Sequence, residues 1–416
     1  DLFIRRNNFD LEPWAIFASE QFARQALTES VSRSGLAAGD ESVRVTSDVA
    51  DVDQQSVRVH FASDKVVYKD AVINDLTIDA EMASDQIEAS LASQQLEGIV
   101  RLSPEIADFN MKRVFLAPAD ETDSKPLSKA ERKELFSTLF DSAWPDFNLK
   151  IADFTVFGVS GQKLAAQYRT DRASRQINLA NLSQGSVDFS GALDWLVDSE
   201  TESTQAQTSL ILNIKGGDLK DVQTSFGVPA TVTSSKSDSS IRLGWQGLPH
   251  DVKSETLNGQ VNVYLEKGAF EQVQSVPALK LLSLFNFESL VRRLQLDFSD
   301  LSGKGLSYDE VTGRVVLNDG IGVIEEPIRV KGSATKFEMT GQLDFIEEKF
   351  DQEMVVTLPV GETLPFAAIL AGAPQVGGTI YIMQKVFGNL FDKFTQATYT
   401  IKGDWDEPQI ELKRVF

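Results

Sequence analysis

Any chemistry in this chain would have to start from very few groups. Its 416 residues include two histidines, His60 and His250, and no cysteine. Thiolate nucleophiles, thiolate metal ligands and disulfides are therefore excluded. Neither histidine stands in an HExxH pattern or beside a serine motif, so both lack the neighbours that zinc hydrolysis or nucleophilic catalysis needs. Asp297, Asp300, Asp309 and Glu310 could be imagined as a metal or acid–base cluster, but their spacing fits no EF-hand loop. Asp297 also alternates with Leu296 and Phe298, which puts it on the polar side of a strand. Arg292 and Arg293 either hold a phosphate or, as a pair entering a strand, neutralise nearby acids. GVSGQK at Gly158 lacks the glycine and lysine spacing of a phosphate-binding loop. Asn181 opens a formal glycosylation sequon, NLS. The reading is of a protein that is not an enzyme and has no metal or cofactor.

With no reactive set to position, the elements themselves become the subject. Period-two alternation dominates: Val187, Phe189, Leu193, Trp195 and Val197 share one phase, with Asp188, Ser190 and Asp194 on the other. It recurs at Leu210, Leu212 and Ile214, at Ile241, Leu243 and Trp245, and at Leu257, Val261, Val263 and Leu265. Further runs are Leu294, Leu296 and Phe298; Phe337, Met339, Leu343 and Phe345; and Met354, Val356, Leu358 and Val360. KGGD at Lys215, SSKSDSS from Ser234, NDG at Asn318 and KGS at Lys331 read as the turns of a long antiparallel meander. Glycines fall on the apolar phase at Gly98, Gly191, Gly259, Gly313, Gly341 and Gly403. Within strands they mark bends or close approach, as in a sheet that curves repeatedly.

Helices are few. One is expected from Trp14 to about Arg33, with Pro13 at its start and Gly35 past its end. A second follows Ser128 and Glu131, which have capping-box spacing, and carries Leu135, Phe136, Leu139 and Phe140. LPFAAILAGAPQVGG is read as a short apolar helix broken at Pro374, and TIYIMQKVFGNLFDKF as an amphipathic one. So few helical stretches cannot cover the apolar face of so many strands, so that face closes on itself or on a ligand. The boundaries this implies are a sheet with one helix over 1–116, a polar linker and helix over 117–143, the main sheet over 144–363, helical segments over 364–396 and terminal strand over 397–416.

Charge narrows the partners. A formal net charge of -21 and a pI near 4.6 argue against nucleic acid, whose binding needs clustered Lys and Arg. They argue equally against a broad electrostatic attraction to anionic membrane. The longest nearly pure apolar run, LPFAAILAGA, is about half of the ~20 residues that a membrane-spanning helix requires. Asp1 is no initiator and no signal peptide is visible, so the chain is expected to be a soluble piece separated from an N-terminal anchor.

Several motifs in order resemble one family. WPDFNLKIADFTVFG, GGDLKDVQTSFGVP, IRLGWQGLP, LNGQVNVYLEKG, RRLQLDFSDLSGKGLSYDEVTG, LPFAAILAGAPQVGG and GDWDEPQIE are similar to the C-terminal region of the YhdP-type AsmA-like proteins. FDLEPWAIF and ASLASQQLEGIVRL resemble the repeat that precedes it, while Tyr308 stands where the family pattern leads one to expect Phe. The resemblance implies a mainly β protein, an elongated, curved, taco-like groove of antiparallel strands. It further implies a periplasmic carrier of phospholipid between the inner and outer membranes of Gram-negative bacteria, held in the inner membrane by an N-terminal helix. The groove lining is then expected from Phe189, Leu193, Trp195, Leu210, Leu212, Leu257, Val261, Val263, Leu294, Leu296, Phe298, Phe337, Met339, Leu343, Phe345, Met354, Val356 and Leu358. Membrane or groove-mouth contact is expected near the C-terminal end from Phe366, Ile369, Met383, Phe387, Leu390, Phe391 and Phe394. An inner- or outer-membrane protein pairing with an open strand edge is the other partner considered, as for a periplasmic scaffold or assembly factor.

Overall fold

β-Branched and aromatic residues alternating with polar ones favour extended chain, because each pleat then has one face to bury and one to solvate. The computed structural model describes residues 2–6, 9–10, 56–68, 71–83, 85–116, 144–156, 159–171, 174–196, 206–225, 230–271, 305–332, 336–357 and 396–415, and these are overwhelmingly strand. They fall into two units, Asp1–Ser183 and Gln184–Phe416.

The first unit holds β1 (Leu2–Arg6), β2 (Phe9–Asp10), β3 (Val57–Tyr68), β4 (Ala71–Ala83), β5 (Gln86–Ala92), β6 (Leu96–Leu102), β7 (Ala107–Leu116), β8 (Phe147–Val156), β9 (Val159–Thr170) and β10 (Ser174–Gln184). Neighbours from β3 to β7 and from β8 to β10 pair antiparallel. At two seams the pairing is parallel: β1 and β2 on β3, and β8 on β7. A parallel pair needs a crossover in place of a hairpin. The helices expected over 14–33 and 128–140 lie in the connecting segments, outside the described residues.

In the second unit β11 (Val187–Leu196), β12 (Gln207–Gly216), β13 (Lys236–Gln246), β14 (Asn258–Glu271), β15 (Gly305–Asn318), β16 (Ile321–Lys331), β17 (Lys336–Asp344), β18 (Lys349–Thr357), β19 (Gln396–Asp404) and β20 (Gln409–Val415) pair antiparallel in chain order. Among the described residues no pairing joins β20 back to β11, so this sheet is not closed into a barrel. The expected turn at NDG forms, with Asp319 and Gly320 both at positive φ as a two-residue hairpin requires. SSKSDSS is a correction: from Lys236 onward it belongs to β13, because its serines pair along β12 and β14. A short helix, α1 (Leu219–Ser225), follows β12 where the sequence suggested only a turn. The Gln223 amide fixes it, accepting the Thr231 backbone N–H at 2.8 Å and donating to the Val232 carbonyl at 2.6 Å.

One irregularity recurs. Asp75 in β4, Lys163 in β9 and Lys267 in β14 have left-handed backbone, with φ of 52°, 52° and 44°. The ladders pass over each of them, from Leu76 to Asn74, from Leu164 to Gln162 and from Glu266 to Gly268. There the inward phase steps by one residue, so that Ser63 and Val66, Ile151 and Phe154, and Tyr308 and Val311 are buried at a spacing of three. The first step builds a cluster of Val66, Ile73 and Leu76 backed by Phe61, Ile78, Leu96 and Leu116. The third buries Tyr308 against the ring of Phe270, 5.0 Å away, and lets its hydroxyl donate to the Thr233 carbonyl.

Candidate functional site

Directly paired residues in a sheet present side chains to the same face, so register alone maps that face. In the second unit one row runs Gly191, Leu212, Ile241, Val261, Val315, Ile324, Gly341, Gln352, Ile401 and Ile410 across all ten strands. The next runs Leu193, Leu210, Leu243, Gly259, Leu317, Gly322, Leu343, Phe350 and Gly403. A third runs Val187, Gly216, Ser237, Leu265, Val311, Val330, Phe337, Val356, Ala397 and Val415. Met339 and Met354 face each other in the same phase, Phe189 opposes Ile214, and Val263 opposes Gly313. Register therefore brings Phe189, Leu193, Trp195, Leu210, Leu212, Val261, Val263, Phe337, Met339, Leu343, Met354 and Val356 to one face.

Leu257 immediately precedes β14, and Phe345 is in the turn after β17, its ring beside Gly322 of the same face and edge-on to Trp405 at 5.3 Å. Leu294, Leu296, Phe298 and Leu358 lie outside the described residues, as do Phe366, Ile369, Met383, Phe387, Leu390, Phe391 and Phe394 and the pair Arg292 and Arg293.

Burial is graded across this face. Trp195, Phe337 and Met354 are covered, whereas Leu193, Leu210, Leu212, Ile241, Leu243, Val261, Val263 and Val315 are half-exposed neighbours on β11 to β15. A contiguous apolar surface of that kind on a sheet is a place where something apolar belongs. The glycines notch it: at Gly341, with φ of 113°, a Cβ would run into the Asp351 backbone, so the lining must stay open there. The first unit carries a comparable row that our sequence reading passed over: Phe61, Ile78, Leu91, Gly98, Met111, Ile151 and Leu164. The same alternation marks it in the sequence, but phase steps and a parallel seam interrupt it.

The other face is charged and carries cross-strand ion pairs. Lys236, Glu266, Glu310 and Lys331 pair in sequence across β13 to β16. Lys236 Nζ lies 2.7 Å from Glu266 Oε1, and the Tyr264 hydroxyl donates to the same carboxylate. These bonds, that from Lys236 foremost, hold the Glu266 carboxyl below its usual range. Glu97 is lowered in the same way, first by its bond from Lys112. His60 Nδ1 lies 2.5 Å from Asp79 Oδ1 on the polar phase, and an open cleft there is lined by Arg58, Asp79, Glu81 and Glu88. Asp309 is exposed, and Glu310 is engaged by Lys331. Among the described residues no group of three or more His, Asp or Glu side chains could hold a metal ion, and no helix is long and apolar enough to cross a membrane.

A family model described as YhdP protein matches residues 2–410. The chain belongs to the YhdP protein family. It is 24% identical over 307 residues to the Intermembrane phospholipid transporter YhdP of Escherichia coli (strain K12), an alignment that covers 72% of this chain and 23% of that protein. The chain thus spans about a quarter of the length of that YhdP relative. No solved structure matches.

Proposed function

We propose that this chain is a segment of an intermembrane phospholipid carrier, and that acyl chains ride on the apolar face mapped above. The half-exposed apolar surface on β11 to β15, continuous by register with the rest of an unclosed sheet, is the observation that carries the reading. Burying roughly fourteen acyl methylenes at about 0.8 kcal/mol each contributes about 11 kcal/mol per chain, which a lipid crossing water uncovered would forgo. Headgroups stay solvated beside the sheet, so the lining needs no catalytic or strongly polar residue. The relative's name supports a periplasmic position between two membranes, and we assign this chain the same compartment, with the carrier held in the inner membrane. A strand-edge scaffold is the second reading, favoured by β20, which among the described residues pairs on one side only. Native mass spectrometry of the purified chain should show phospholipid-mass adducts that leave on delipidation and return with added lipid. A chain that never carries lipid under these conditions refutes the proposal.

A further inference from the structure

Among the described residues eight large apolar side chains stand exposed, three of them at one rim of the second unit. There Ile211 is mid-strand and Val323 is the third residue of β16, both on the polar face, while Leu196, Val252 and Ile346 all lie at one set of strand ends. Val252 is 55% exposed and Ile346 47%. The loops at that rim, 247–257, 319–320, 345–348 and 405–408, form one bonded surface. Gly320 donates its N–H to the Leu257 carbonyl at 3.0 Å, Phe345 donates to Gly320 at 3.0 Å, and Trp405 donates to Glu348 at 2.8 Å. Asn258 and Asp319 exchange two further bonds at 3.0 and 3.1 Å. Asp344 Oδ1 accepts the N–H groups of Ile346 and Glu347, at 2.8 and 2.9 Å, which sets how that turn presents its side chains.

Charge concentrates on the same rim. Its four loops hold seven carboxylates, among them Glu347, Glu348, Asp406 and Glu407, against Lys253 within them and Lys349 at the first position of β18, whose Nζ lies 2.5 Å from Glu347 Oε2. Lys253 is itself 3.9 Å from Asp251. The lysines Lys215, Lys236, Lys267, Lys331 and Lys336 lie toward the opposite strand ends.

We propose that this rim is a docking surface for a basic polypeptide segment with apolar anchors. Lys or Arg of the partner would meet the carboxylates, and its apolar side chains would cover Ile346 and Val252. Charge complementarity selects the class, since an anionic bilayer would be repelled by the same carboxylates. Size agrees. From β13 to β20 the rim crosses seven strand spacings, roughly 34 Å, which a helix of about 20 residues would span and a single lipid headgroup would not. The inference concerns the loops rather than the apolar face, so it stands or falls apart from lipid carriage.

A fluorescent 20-residue amphipathic Leu/Lys helix, with a Leu/Glu helix as counterpart, tests it on the full chain at physiological salt. Saturable binding of the Leu/Lys helix is expected, weakened at least fivefold by Val252→Ser with Ile346→Ser, which leave net charge unchanged. Glu347→Lys with Glu348→Lys should weaken it too, while Ile211→Ser, mid-strand on the polar face, should not. All of these positions are exposed loop or polar-face sites, and unchanged circular dichroism checks that the variants fold. Binding indifferent to Val252→Ser with Ile346→Ser, equal loss from Ile211→Ser, or equal binding of the Leu/Glu helix overturns the proposal. So does rim-dependent binding to phosphatidylglycerol vesicles in place of the helix, which would assign the rim to a membrane.

Discussion

Leu343→Asp and Val323→Asp place one charge on opposite faces of neighbouring strands, and lipid carriage requires them to differ. Leu343 projects from β17 onto the apolar face between Gly322 and Phe350, half-buried. Val323 adjoins Gly322 in β16 but points to the polar face, opposite Gln342. Losing a half-buried leucine and partly desolvating a carboxylate costs the fold about 2–3 kcal/mol, less than the roughly 5–15 kcal/mol that holds a domain together. Both variants should therefore fold. For a lipid the balance reverses. The three or four methylenes passing Leu343 contribute about 3 kcal/mol at ~0.8 kcal/mol each, while stripping water from an unpaired carboxylate costs several. A net loss near 1.4 kcal/mol or more means at least about tenfold weaker lipid retention. Native mass spectrometry for occupancy and a vesicle-to-vesicle assay with fluorescent phospholipid read it directly. Leu343→Asp should lose lipid and transfer about tenfold or more, with Val323→Asp within about twofold of wild type. Equal behaviour of the two variants at equal protein level would refute the assignment of the apolar face to lipid.

The left-handed residues offer a stability test: Lys163→Gly and Lys267→Gly should each raise the urea unfolding free energy by roughly 0.5–1 kcal/mol, since glycine meets no Cβ strain at positive φ. Gly341→Ala should lower it by about 2 kcal/mol or more, and a neutral result in both directions would dismiss backbone strain as a determinant of the bends. Tyr308→Phe, which removes the bond to Thr233, should cost about 1 kcal/mol in the same assay. Burial raises the phenols of Tyr308 and Tyr399, so the unfolded chain gives up these protons first. Stability from this source is level below about pH 10 and falls above it, as unfolding midpoints against pH will report. Glu97, Glu266 and Glu338 are lowered chiefly by bonds from Lys112, Lys236 and Lys336, so their contribution is present at neutral pH and lost as pH falls below about 4.3. Because these pairs are largely exposed, the acid-side loss should be small and should shrink further in high salt.

Much of the apolar face was legible because a strand's two faces are a strict parity, and parity survives any register that pairs like with like. Trp195, Leu212, Val263 and Met354 could be grouped before their neighbours were known, since each sits in a run where the alternate residues are polar. What parity hides is every place where it changes. Lys163 and Lys267 are polar residues whose type does not announce positive φ, and Asp75 does so only weakly; the burial of Ser63 with Val66, Ile151 with Phe154 and Tyr308 with Val311 exposes the steps. The parallel seam between β7 and β8 was equally silent, because β7 and β8 read as amphipathic strands whichever way they run. Strand ends are hidden for a related reason: Phe345 keeps the phase of Leu343 and stays beside Gly322 although β17 has ended at Asp344, and its partner there, Trp405, is sixty residues downstream. The interruptions also bear on how the face works. Met354 and Ile401 on β18 and β19 are fully buried, whereas Leu193, Leu212, Ile241, Val261 and Val315 of the same face on β11 to β15 are only partly covered, so in the row through Leu212 burial rises toward Ile401. The lining therefore tolerates exchange among aliphatic residues of similar size, while the steps do not tolerate a shift of a single residue, because a one-residue slip would turn every lining side chain of that strand toward the charged face.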